Sequence, residues 1–74
     1  MAIDATDRHP SVQQIARYFD YEHLTGDLRA VSGACESLAD ELLTMLPDSP
    51  ELTVGLRKLL EAKDCFVRAA LPPP

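Results

Sequence analysis

Four of the chain's seven basic residues, Arg57, Lys58, Lys63 and Arg68, fall between positions 57 and 68. From Glu51 onward four cations face three acids, a formal +1, whereas residues 1–50 hold three cations and nine acids, a formal −6. That asymmetry disfavours a long polyanion such as DNA or RNA, which most of the surface would repel, and permits a small anion in a local pocket. The remaining reactive side chains do not assemble into a catalytic pattern. There is no glycine-rich phosphate loop and no nucleophile–base constellation, and Asp40 and Glu41, adjacent on a helix, point about 100° apart and make no acid dyad. Cys35 and Cys65 are too few for a disulfide framework, and no spacing joins them with His9 and His23 into a metal site. The residue types are those of a binder, with no enzyme, cofactor or metal implied.

The elements that position these groups follow from length and periodicity. A chain of 74 residues forms one domain and buries only about 60% of its surface, so self-association is a natural remedy for marginal stability. The N-terminal MAIDATDRHP lacks a basic and then apolar leader, and no run reaches roughly 18 apolar residues. With reduced thiols, a cytoplasmic protein that does not enter membranes is expected. Residues 1–8 read as a flexible polar lead, residues 9–71 as the helical domain and Pro72–Pro74 as a tail that stops the last helix.

Within the helical domain, Pro10 suits the first position of a short helix with Val12, Ile15, Ala16 and Phe19 on one face, and His9 stands exposed before it. Phe19 to Leu24 break that period as an ordered connector, and Thr25-Gly26-Asp27 can start the next helix. From Asp27 to Leu46, the residues Leu28, Val31, Cys35, Leu38, Leu42 and Met45 keep a 3–4 spacing that predicts a coiled-coil-like seam, weakened locally by Gly33. Pro47-Asp48-Ser49-Pro50 marks a turn, with Ser49 as N-cap and Pro50 at the first helical position. So short a link predicts antiparallel neighbours. The last helix, to about Leu71, carries a broad apolar stripe of Leu52, Leu56, Leu59, Leu60, Phe66, Val67 and Ala70, wider than one contact needs. Lys63 interrupts it, so its ammonium must snorkel to water or meet an anion. Both cysteines fall on apolar faces and read as buried thiols.

Three segments in order, FDYEHL (Phe19–Leu24), LADELLTMLPDSPE (Leu38–Glu51) and LTVGLRKLLEAKD (Leu52–Asp64), resemble the small phage anti-CBASS sponges, which sequester the cyclic oligonucleotide signals of bacterial immunity. The likeness covers about residues 19–70. It implies an all-α fold, a short N-terminal helix followed by a long antiparallel helical hairpin, assembled as a homo-oligomeric bundle, commonly a hexamer. It also implies binding of cyclic dinucleotides, and of cyclic trinucleotides at a separate site, without turnover, in the cytoplasm of the infected bacterial cell.

Residue by residue, the resemblance assigns Tyr21 to stacking on purine bases, an interaction worth about 1–3 kcal/mol per base. An ordinary half-buried aromatic beside Phe19 is the plainer alternative. Relatives often carry a cation where this chain has Val31-Ser32-Gly33, so phosphate contact passes to the Ser32 hydroxyl and to Arg29, one turn earlier. Thr53 matches the hydroxyl of the trinucleotide site, with Pro50 near the position expected to be basic. Lys58 and Glu61 match a lysine and a glutamate on the last helix, for a phosphate and a purine amine, although such residues are usually solvated. His23 can titrate near a phosphate or serve as an ordinary surface residue. A rival reading, a dimerising helical-hairpin adaptor with no small-molecule ligand, explains the seams and treats the cations as incidental.

Overall fold

The computed structural model describes residues 3–72, and its helices begin where the capping residues place them. Helix α1 (Pro10–Ala16) has proline in its first turn and His9 as N-cap, whose Nδ1 accepts the Ser11 amide at 3.1 Å. A 3-10 turn, Arg17–Phe19, continues it and ends at Asp20 in extended backbone. Helix α2 (Gly26–Met45) starts differently from the expected cap. The Thr25 side chain makes no capping bond, and Gly26 instead turns the chain at φ 60°, a conformation glycine adopts without the Cβ penalty. Helix α3 (Pro50–Ala70) starts as the sequence predicts, with Ser49 Oγ accepting the Leu52 amide at 3.0 Å, Pro50 in the first turn and Glu51 at the positive end of the dipole. Arg68 lies at the opposite, negative end. Among the described residues there is no strand, and no helix is long and apolar enough to cross a membrane.

All three helices share one core: Val12 and Ile15 from α1, Phe19 from the 3-10 turn, Cys35, Ala39 and Leu43 from α2, and Leu52 and Leu56 from α3. Ile3, Leu59 and Leu60 pack on its edge. The buried face of α2 is therefore not the expected seam. Cys35 of that seam is buried as expected, but its companions are Ser32, Glu36, Ala39 and Leu43, one position round from Val31, Leu38 and Leu42, while Leu28, Val31 and Leu42 are only half-buried. The cause is steric. Phe19 and Ile15 are bulky and almost wholly buried, and the α2 face that meets this cluster offers the small Ser32 and Ala39. Leu38 and Met45 remain 46% and 61% exposed.

Similar geometry corrects two expectations on α3. Cys65 is exposed, unlike the buried Cys35, because α3 buries Leu52 and Leu56 and half-buries Leu59, Leu60, Lys63 and Val67, and position 65 points well away from that row. Phe66 is also exposed. Burial pushes the Cys35 thiol above its ordinary pKa, partly opposed by the charge of Lys63, so it stays protonated at neutral pH.

The lead expected to be flexible makes specific contacts from residue 3 onward, while Met1, Ala2, Pro73 and Pro74 lie outside the described residues. Ala5 is buried. Gln13 Nε2 donates to the Thr6 and Arg8 carbonyls at 2.9 and 3.0 Å. Arg8 does most to fasten the segment. Its Nη1 and Nη2 donate to the Leu43 and Leu46 carbonyls at 3.1 and 2.8 Å, satisfying oxygens at the end of α2, and its Nε lies 2.9 Å from Asp48 Oδ1. Asp48 Oδ2 accepts the His9 amide at 2.8 Å, so one residue of the α2–α3 link anchors the start of α1.

Arg8→Ala is expected to cost about 2 kcal/mol, chiefly through the α2 carbonyls left without donors, since water screens much of the Asp48 pair. Arg8→Lys should restore only part, because an ammonium has its donors on one nitrogen and does not span the Leu43 and Leu46 carbonyls while also facing Asp48 as the guanidinium does. Urea unfolding midpoints measure both, and an unmoved midpoint for Arg8→Ala contradicts the capping role.

Candidate functional site

The connector between the 3-10 turn and α2 is short, and local hydrogen bonds shape it. Asp20 Oδ1 accepts the Glu22 amide at 3.3 Å, and the Leu24 amide donates to the Tyr21 carbonyl at 3.0 Å. Folding the chain back in this way lays the Tyr21 ring against α2 at Gly33. A Cβ at that position would stand 3.3 Å from Tyr21 Cε2, so the glycine provides the clearance that the ring uses. The Arg29 guanidinium lies over the same ring, 5.7 Å from its centroid, within the range of a cation–π contact.

The two residues at the end of the connector, His23 and Leu24, line a cleft of about 270 Å³ with Ser32 from α2 and with Lys63, Asp64, Val67 and Arg68 from α3. Lys63 belongs to both the fold and the cleft. Its Nζ donates to the Tyr18 carbonyl at 2.6 Å, fixing the 3-10 turn to α3 instead of snorkelling into water or meeting an anion. Ser32 is wholly buried at the cleft wall, and its Oγ has no hydrogen-bond partner among the described residues. An unmet buried hydroxyl costs about 1–3 kcal/mol. Because that oxygen is closed off from solvent, it meets a ligand only through a local opening. The cleft's donors are thus two cations and an imidazole, with Asp64 offsetting part of the charge. It lies just below the roughly 300 Å³ at which small-molecule pockets usually begin, so a larger ligand would need a second surface.

Of the residues singled out in the sequence, His23 and Ser32 meet in this cleft, and Tyr21 borders it through its neighbours in the connector. Arg29 sits on the Tyr21 ring outside it. Lys58 and Glu61 are exposed on α3 and line neither this cleft nor the next. Thr53 lies in a separate cleft of about 290 Å³ with His9, Ser11, Asp48, Ser49 and Pro50. There its Oγ1 is 3.0 Å from Ser11 Oγ, and the charged side chain in the lining is the carboxylate of Asp48, a poor match to an anionic trinucleotide. In the sequence Arg68 is marked only as a member of the basic cluster, with no site role of its own, and Leu24 and Asp64 are given none. The signal for Arg68 lay in its position, one turn beyond Lys63 and Asp64 on the α3 edge that faces the connector. Among the described residues, no three His, Cys, Asp or Glu side chains gather as a metal site.

The Tyr21–Gly33 contact has a measurable consequence. Alanine for glycine inside a helix ordinarily gains about 1 kcal/mol. Gly33→Ala should gain less than that in the wild-type chain, where the new methyl crowds the ring, and the full amount in a Tyr21→Ala background. A double-mutant cycle by thermal or urea unfolding reads the difference, and equal gains in both backgrounds would show that the ring does not rest there.

Comparison of the chain with models of known protein families, with curated proteins and with solved structures found no match.

Proposed function

We propose that the protein is an all-α sponge that binds a cyclic dinucleotide second messenger of bacterial anti-phage immunity and withholds it without degrading it. The observation that carries this reading is the proximity of an aromatic ring, an imidazole and two cations: Tyr21 of the connector packed against α2 at Gly33, with His23, Lys63 and Arg68 lining the adjoining cleft. Tyr21 offers the flat face for a base, backed by Arg29. Arg68 takes the phosphate in place of Lys58, with a forked guanidinium suited to phosphoryl oxygens, and Lys63 joins it only by giving up its bond to the Tyr18 carbonyl. The ligand is larger than the cleft, so a homo-oligomer, a hexamer by the family resemblance, encloses it between subunits. An antiparallel pairing of α2 and α3 belongs to the same reading, supported by the start of α2 at Ser32 sharing a cleft with the end of α3 at Val67 and Arg68. The resemblance places the protein in the cytoplasm of the infected cell. A cyclic trinucleotide at Thr53 is the weaker part of the proposal, given Asp48 beside it.

One observation favours the rival reading of a ligand-free helical adaptor: an uncharged groove along α2 and α3, distinct from the cleft.

Isothermal titration with cyclic di- and trinucleotides, with linear dinucleotides as controls, separates the two. Submicromolar binding of a cyclic dinucleotide is expected. Tyr21→Ala should weaken it by about 5- to 150-fold, the equivalent of one lost stack. Arg68→Ala should weaken it and flatten its salt dependence, while Lys58→Ala leaves both unchanged. No heat from a folded protein with any cyclic nucleotide would assign it to the adaptor class.

A further inference from the structure

Two polar groups of the cleft face inward instead of toward its opening. Ser32 Oγ is wholly buried in the wall without a hydrogen-bond partner among the described residues, an arrangement rare enough in folded proteins to call for a reason. Lys63 is the half-buried cation of the lining, whereas Arg68 and His23 are exposed, and its ammonium is held by the Tyr18 carbonyl at 2.6 Å.

The turn that this bond secures is weak in itself. Arg17–Phe19 is three residues long, and the bond that closes it, from the Asp20 amide to the Arg17 carbonyl, is stretched to 3.4 Å. Lys63 ties the turn to α3 across 45 positions of the chain. The connector leaves directly from Asp20 and carries His23 and Leu24 over the cleft that Ser32 lines. The segment that covers Ser32 is therefore attached to the turn that Lys63 holds. A phosphoryl oxygen is a stronger acceptor for an ammonium than a neutral carbonyl, because both partners are then charged. An anion admitted by Arg68 and His23 thus competes directly for Lys63, and it binds the opened arrangement more tightly because only there do Lys63 and Ser32 become available to it.

We infer that the contact between Lys63 and the Tyr18 carbonyl is a latch on the cleft: a phosphoryl anion draws the ammonium away, the turn and connector loosen, and the Ser32 hydroxyl is uncovered to complete the site. The latch rests on the anion-binding part of the proposed function and adds how access to that site is regulated.

The test uses the full chain carrying Cys65→Ser, which removes the exposed thiol, together with Ser32→Cys. Iodoacetamide labelling resolved by peptide mass should be slow at position 32 and at Cys35. Lys63→Met keeps the apolar stem and removes the donor. It should speed labelling at position 32 about tenfold, the effect of one lost charge-assisted hydrogen bond on a local opening, with no gain at Cys35. Lys63→Arg, which restores a charged donor, should return the rate toward its starting value. Equal gains at position 32 and Cys35, or none at position 32, overturn the inference.

A second measurement needs no cysteine variant. Saturating inorganic pyrophosphate should speed hydrogen exchange of the Asp20 amide in the wild-type chain several-fold and add nothing in Lys63→Met. An Asp20 amide unmoved by pyrophosphate overturns the latch, whatever titration with cyclic dinucleotides shows. A response to pyrophosphate from a chain that binds no cyclic dinucleotide would leave the latch standing and remove the sponge reading.

Discussion

Burial of Phe19 at the joint between the 3-10 turn, α2 and the core is the constraint on which the rest of the structure depends. The ring is completely enclosed, and the inward face of α2 carries the small Ser32 and Ala39 beside Cys35, Glu36 and Leu43. Three consequences follow from that one rotation. The apolar row through Val31 and Leu38 is left to line an outer groove. Gly33 comes to face the connector, where it admits the Tyr21 ring. Ser32 is enclosed with an unmet hydroxyl beside the cleft of Lys63 and Arg68. Core packing, the outer groove and the cleft are thereby linked through the orientation of a single helix.

Electrostatics then distinguishes the two surfaces. An acidic molecule of net charge −5 repels polyanions at long range, yet Lys63 and Arg68 with His23 form a local cationic site that Asp64 only partly offsets. The hydrogen bond from Lys63 to the Tyr18 carbonyl ties that site to the 3-10 turn, so displacing the ammonium toward an anion also loosens the seat of Phe19. Under the proposed function, ligand binding and core packing would be coupled through that lysine.

Helix positions were legible in the sequence because local chemistry determines them. Pro10, Ser49 and Pro50 act within one turn of where they stand, and each marks the helix start it predicts. The orientation of α2 was not legible, because its 3–4 row satisfies periodicity equally well facing inward or outward, and only the volume of Phe19, a neighbour through space, decides between them. Arg8 escaped notice for a related reason. It lies in a polar lead with no pattern of its own, and its partners at Leu43, Leu46 and Asp48 are distant in sequence. At the cleft, His23 could be singled out by type and position, Lys63 by its place in the apolar stripe and Ser32 through the family resemblance, whereas Arg68 could be told from Arg57 and Lys58 only once α3 had a defined rotation against the connector.

The most direct test of cyclic dinucleotide binding at the connector cleft is a nuclear magnetic resonance titration that follows backbone amide shifts of the folded chain. The expected result is saturable perturbation concentrated at Tyr21, His23, Gly33 and Arg68, absent with the linear dinucleotide. Perturbation confined to Lys58 and Glu61, or none at saturating ligand, would contradict it.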